Sequence, residues 1–63
     1  MNKLKTARLK AGLSQSKLAE KSGVNIRMVQ YYEQGVKDIN KAAVITVLKL
    51  ADALEVDVRE LIE

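Results

Sequence analysis

The sequence predicts an all-α fold, a compact bundle of five helices, and three observations predict it. The 63 residues include no proline and 30% of them are charged, so nothing in the chain forces a break in helical hydrogen bonding. Gly12, Gly23 and Gly35 are the only glycines and fall at nearly even intervals. Glycine is favoured just past a helix end because it takes a left-handed conformation without a Cβ penalty. Finally, four segments carry a cap residue preceded by an apolar residue that can staple to another apolar residue five positions later. No segment alternates apolar and polar residues for long enough to compete as a strand.

The elements follow in order. A first helix is expected over 3–11, closed by Gly12. Leu13 and Leu18 bracket the cap Ser14, which starts a second helix over 15–21, closed by Gly23. Val24 and Val29 bracket Asn25 and start a third over 26–34, closed by Gly35. Ile39 and Val44 bracket Asn40 and start a fourth over 41–54. Val56 and Leu61 bracket Asp57, which has Glu60 for a capping box, and start a fifth over 58–62. The fourth helix is the most amphipathic, with Ala43, Val47, Leu50, Ala51 and Leu54 on one face and Lys49 and Asp52 opposite, so it is expected to be the central core helix. Ile45 alone projects to its polar side.

Composition limits the chemistry. A chain of this length allows one domain, residues 1–63, and buries only about 60% of its unfolded surface. Cysteine and histidine are both absent. That removes disulfides, thiol and imidazole catalysis and the usual zinc ligands, so no metal and no cofactor is expected. No two carboxylates, lysines or tyrosines approach a catalytic spacing, and the chain is too small to enclose a sizeable substrate pocket, so an enzyme is not expected. The start, MNKLKTARLK, carries charges every second or third position rather than an apolar signal region, and no apolar stretch is long enough to span a bilayer. A soluble, cytoplasmic protein with no membrane partner is expected. Charge is uneven: residues 1–41 hold nine basic and three acidic side chains, net +6, whereas residues 42–63 are net −3. The basic part is where an anionic partner binds.

Two short helices joined by a glycine-containing turn within about twenty residues describe a helix-turn-helix, and residues 15–34 fit that description. Leu18 and the small Ala19 supply the inner face of its first helix, and Val29 and Tyr32 that of its second. With Arg27 taken as zero, Gln30 falls near about 300°, Tyr31 near about 40° and Gln34 near about 340°, while Val29 and Tyr32 fall on the other side. The outer stripe thus holds a forked donor, two amides and a phenol, groups suited to base edges and phosphates in a major groove. Ile26 and Met28 flank it, where apolar side chains can touch thymine methyl groups. Ser14 is read as a cap. Beyond it, the N–H groups of Gln15 and Ser16 have no partners inside the helix and are free to hold a phosphate.

The stretch LKTARLKAGLSQSKLAEKSGVNIRMVQYYEQG resembles the Cro and phage-repressor type of helix-turn-helix protein, the XRE family. Leu13, Gln15, Leu18, Ala19, Gly23, Val24, Val29, Glu33 and Gly35 carry the resemblance, and the ending LKLADALEVDVRELI resembles the family's last two helices. The resemblance implies a five-helix, lambda-repressor-like domain that binds double-stranded DNA as a homodimer, at least when on DNA, at a pseudo-palindromic operator. It implies a phosphate contact for Gln15. It implies sequence choice by Arg27, Gln30 and Tyr31, with Asn25, Ile26 and Gln34 on the same DNA-facing segment. It also implies a structural pair of Arg8 with Glu33. Lys37 and Lys41 are expected to reach the backbone flanking the groove. Two departures stand out. Ile26 replaces a polar residue that often bonds to the glutamine at position 15, which leaves Gln15 free of that bond, and Glu55 stands where the family often has glycine after the fourth helix. The expected function is a sequence-specific transcriptional regulator, a repressor acting by occlusion. The alternative is a protein-interaction module, such as an antitoxin subunit or an adaptor, with Ile45, Val58 and Ile62 as its contact residues.

Overall fold

The computed structural model describes residues 2–62. Among them the chain forms four α-helices, α1 (Lys3–Lys10), α2 (Gln15–Ser22), α3 (Ile26–Gln34) and α4 (Val44–Leu54), and two short 3-10 turns, Ile39–Lys41 and Val58–Glu60. The caps read from the sequence start α2 and α3: Ser14 Oγ accepts from the Lys17 N–H at 3.0 Å, and Asn25 Oδ1 accepts from the Arg27 N–H at 2.7 Å. Asn2 does the same for α1, its Oδ1 accepting from Lys5 at 2.8 Å.

The five-helix expectation is corrected to four. The fifth segment has its capping box, with Asp57 and Glu60 each bonded to the other's backbone, yet it completes only a 3-10 turn. The Leu61 N–H closes onto Val58 O at 2.9 Å, three residues back, and the fully buried Leu61 side chain pins the chain there. Few residues remain to offset the cost of nucleating a longer helix. The backbone N–H and then the side chain of Arg59 hold the exposed Asp57 carboxyl below the usual carboxylate range. That capping contribution is therefore present above the unfolded-state value and is lost as pH falls through the lowered one.

The start of the fourth helix also moves. Asp38 rather than Asn40 acts as the cap, its Oδ1 accepting from the Asn40 N–H at 2.9 Å, and the resulting 3-10 turn seats Ile39 in the core. Ala42 and Ala43 then run extended, and α4 begins at Val44 with no side-chain cap. Ala43 is consequently exposed instead of lying on the core face, and Ala53 is buried in its helix.

The core is built where the helices meet. Leu4 of α1, Leu18 of α2, Val29 of α3, Leu50 of α4 and Leu61 are its most deeply buried large side chains. α2 packs against both α3 and α4, while α1 packs on α3 and on the Val58–Glu60 turn. Val58 and Ile62 lie partly buried against this core, whereas Ile45 is exposed. No helix among the described residues is long and apolar enough to cross a membrane.

α4 ends on Glu55 with φ of 58°, the one positive-φ residue other than glycine among the described residues. A left-handed conformation costs a side-chain-bearing residue about 1 to 2 kcal/mol, against about 0.5 to 1 kcal/mol of extra unfolded-state freedom for glycine. The surface pair of Glu55 with Lys21, at 3.7 Å, contributes little. Glu55→Gly is therefore expected to stabilise the domain by about 0.5 to 1 kcal/mol, raising the melting temperature by several degrees. An unchanged or lower melting temperature would contradict the strain.

Candidate nucleic-acid interface

The turn between α2 and α3 fixes how the two helices cross. Gly23 sits at φ 74°, and its N–H closes onto Ala19 O at 2.9 Å. Ser22 Oγ accepts from the Val24 N–H at 3.1 Å, which turns the buried Val24 inward. Leu18 of α2 and Val29 and Tyr32 of α3 fill the contact between the helices, beside a half-buried Ala19.

The opposite side of α3 is left to solvent. Arg27 and Gln34 are exposed, and Gln30 and Tyr31 are half-buried at the helix flank. Among the described residues none of these four side chains bonds to any other group of the domain. An arginine fork, two amides and a phenol thus present their full donor and acceptor capacity outward. Ile26, 38% exposed, heads the helix. Asn25 is exposed too, but its carbonyl oxygen is used by the cap. Met28 differs from its expected outward place: it packs partly against the core and lines a recess of about 260 Å³ with Tyr32, Lys37, Asp38, Lys41 and Ala42. This recess sets the exposed Lys37 and Lys41 beside the flank of α3.

A three-residue polar network ties α1, α2 and α3 together. Arg8 Nε donates to Glu33 Oε2 at 2.6 Å and Nη2 donates to Oε1 at 3.0 Å, a two-pronged contact that planar guanidinium and carboxylate groups favour. Arg8 Nη1 donates to Leu13 O at 2.8 Å. The Glu33 side chain is only 3% exposed. Hydrogen bonding to Glu33, outweighing burial, raises the Arg8 pKa. Gln15 Nε2 also donates to Glu33 Oε1, at 3.1 Å. Gln15 is therefore not free, as the loss of a polar partner at Ile26 had suggested; Glu33 takes the bond instead. Because a carboxylate only accepts, it fixes the Gln15 amide nitrogen inward and leaves its second N–H and its oxygen available.

Two placements follow from the Gln15 contact. The amino end of α2, with the exposed Ser16, lies beside the carboxyl half of α3, where Gln30 neighbours Glu33 on the helix. The N–H groups of Gln15 and Ser16 point out of the first turn of α2 with no partner among the described residues. Sequence reasoning missed the bond from Asn2 Nδ2 to Tyr32 O, at 2.8 Å, by which the cap of α1 also anchors the end of α3. An asparagine directly before a helix was the available signal.

Comparison with known proteins agrees with this geometry. A helix-turn-helix family profile matches residues 4–61. No curated protein sequence matches the chain. Among solved structures, the chain is similar to the restriction-modification controller protein C.AhdI from Aeromonas hydrophila, with 37% identity and a TM-score of 0.82, over 94% of this chain and 85% of that one. With the two-helix motif, its glycine turn and its unpaired outer stripe in place, the chain belongs to the XRE-type helix-turn-helix family of DNA-binding transcriptional regulators.

Proposed function

We propose that the chain is a sequence-specific transcriptional regulator, a repressor that binds a pseudo-palindromic operator as a dimer with α3 in the major groove. One observation carries the reading: Arg27, Gln30, Tyr31 and Gln34 share one face of α3 and have no partner within the domain. Each of these groups matches a base edge or phosphate oxygen.

The roles divide by chemistry. Arg27, Gln30 and Tyr31 choose sequence, with Ile26 against thymine methyl groups and Gln34 and Asn25 at the ends of the contact. Gln15 and Ser16 hold a phosphate through the first turn of α2 and the remaining amide N–H of Gln15. Lys37 and Lys41 meet the backbone beside the groove and supply affinity that falls with salt. Repression is by occlusion, since a bound dimer covers promoter DNA. Two half-sites are then read about 34 Å apart, one helical turn. The similar solved protein is a controller of restriction-modification, which supports control of transcription here.

The test is a titration of isotope-labelled protein with duplex DNA, followed by amide and side-chain NMR shifts. The largest changes are expected at Gln15, Ser16, Arg27, Gln30, Tyr31 and Gln34. Changes centred instead on α1 or the end of α4 would remove α3 as the DNA-reading element.

A further inference from the structure

A groove of about 580 Å³ runs between α1 and the segment that follows α4, a size within the range of about 300 to 1,000 Å³ that small-molecule sites occupy. One wall is a single face of α1 and its cap, since Lys3, Thr6, Ala7, Lys10 and Ala11 recur at spacings of three and four. Leu54, Val56 and the Val58–Glu60 turn form the other. We propose that this groove binds a small amphiphilic carboxylate, its alkyl chain along Ala7, Ala11, Leu54 and Val56 and its head group on Lys10.

The lining selects the chain. Ala7, Ala11, Leu54 and Val56 present hydrocarbon, and Thr6 Oγ1 already donates to Asn2 O at 3.0 Å. An extended peptide would leave backbone donors and acceptors unmet against such a lining, whereas an alkyl chain has none to satisfy. A bare inorganic anion would leave the apolar wall unused.

Charge selects the head. Lys3, Lys10 and Arg59, all exposed, set three positive charges at the rim against the one carboxylate of Glu60. Glu60 Oε2 also accepts from the Asp57 N–H at 3.4 Å. Of the three cations, Lys3 Nζ donates to Ile62 O at 3.0 Å and Arg59 Nε lies 3.3 Å from Asp57 Oδ1. Lys10 has no partner among the described residues, so its ammonium keeps all three donors for a carboxylate. No residue of α2 or α3 lines the groove. The groove and the outer face of α3 can therefore be filled at once, and the site stands whether or not the DNA-binding reading does.

The test titrates the isotope-labelled whole chain with octanoate and follows amide NMR shifts. Acetate supplies the head group alone, and octylammonium the same chain with the opposite charge. Octanoate is expected to shift Ala7, Ala11, Leu54 and Val56 most, with a Kd of about 1 to 10 mM for its roughly ten heavy atoms. It should bind about fourfold more tightly than hexanoate, two methylenes shorter. Lys10→Gln should weaken it about two- to fivefold and Lys10→Glu more; Lys10 is exposed and unpaired, so both variants keep the fold, which thermal melting checks. Octanoate shifts centred on the exposed Val44, Ile45 and Leu48 of α4 would overturn the site, and acetate matching octanoate would overturn the role of the chain. Equal binding of octylammonium, or an unchanged Kd in both Lys10 variants, would overturn the role of charge. Displacement of octanoate by duplex DNA would assign the groove to the DNA interface and overturn it as a separate site.

Discussion

Arg8→Ala is expected to cost about 3 to 5 kcal/mol of folding stability, the usual penalty for removing one partner of a buried ion pair. The Glu33 carboxylate, 3% exposed, would keep only the Gln15 amide as a donor, and Leu13 O would lose the bond from Nη1. A domain of this length has about 3 to 9 kcal/mol in hand, so the variant should lose a large share of its stability and melt well below the wild type. Urea denaturation monitored by circular dichroism checks this. Replacing both charges, as Arg8→Met with Glu33→Met, should recover most of the loss, because a well-packed apolar pair avoids desolvating two ions. A melting temperature unchanged in Arg8→Ala would show that the network stabilises nothing, despite its short distances.

Arg27→Ala acts on binding and leaves the fold alone, since the side chain is exposed and has no partner among the described residues. If its guanidinium grips the O6 and N7 of a guanine, the loss on the preferred duplex is about 1 to 3 kcal/mol and preference relaxes at one base pair. Competition binding against duplexes substituted at each position in turn would locate that pair. A uniform loss across all sequences would instead assign Arg27 to phosphate, which positions the protein but carries no sequence information.

Much of this fold is legible because local signals agree. Ser14 and Asn25 mark helix starts, Gly23 and Gly35 mark helix ends, and the apolar spacing between them names the buried face, so α3 runs over the expected residues. What the sequence hid depends on tertiary contacts. Asp38 and Asn40 are both plausible caps by residue type, and the burial of Ile39 decides between them by requiring a 3-10 turn. Likewise, the capping box of Asp57 and Glu60 signals a start without stating a length, and the pinned Leu61 sets that length. Glu55 holds a left-handed conformation that glycine would fit better, which residue type alone does not reveal.

At the candidate interface the outward stripe of Arg27, Gln30, Tyr31 and Gln34 was legible from helical angle, whereas Met28, expected at its flank, packs against the core. The hydrogen bond from Gln15 to Glu33 was not legible, because it joins positions eighteen residues apart on different helices. Its consequence is mechanical. The same carboxylate that locks α1 to α3 also holds the Gln15 side chain proposed to meet a phosphate, so on that proposal stability and DNA positioning share Glu33. An exposed stripe on α4 shows the reverse situation: Ile45 read from sequence as an isolated exposed residue, and only the shifted start of α4 reveals Val44 and Leu48 exposed beside it.

The central claim, that α3 reads sequence, is tested most directly by selecting from a random duplex library at fixed salt and measuring affinity for the winner against a scrambled duplex up to physiological salt. The account predicts a pseudo-palindrome bound at least about a thousandfold better than the scrambled duplex. Weak binding that ignores sequence and vanishes as salt rises would leave only a basic helical surface, and would contradict it.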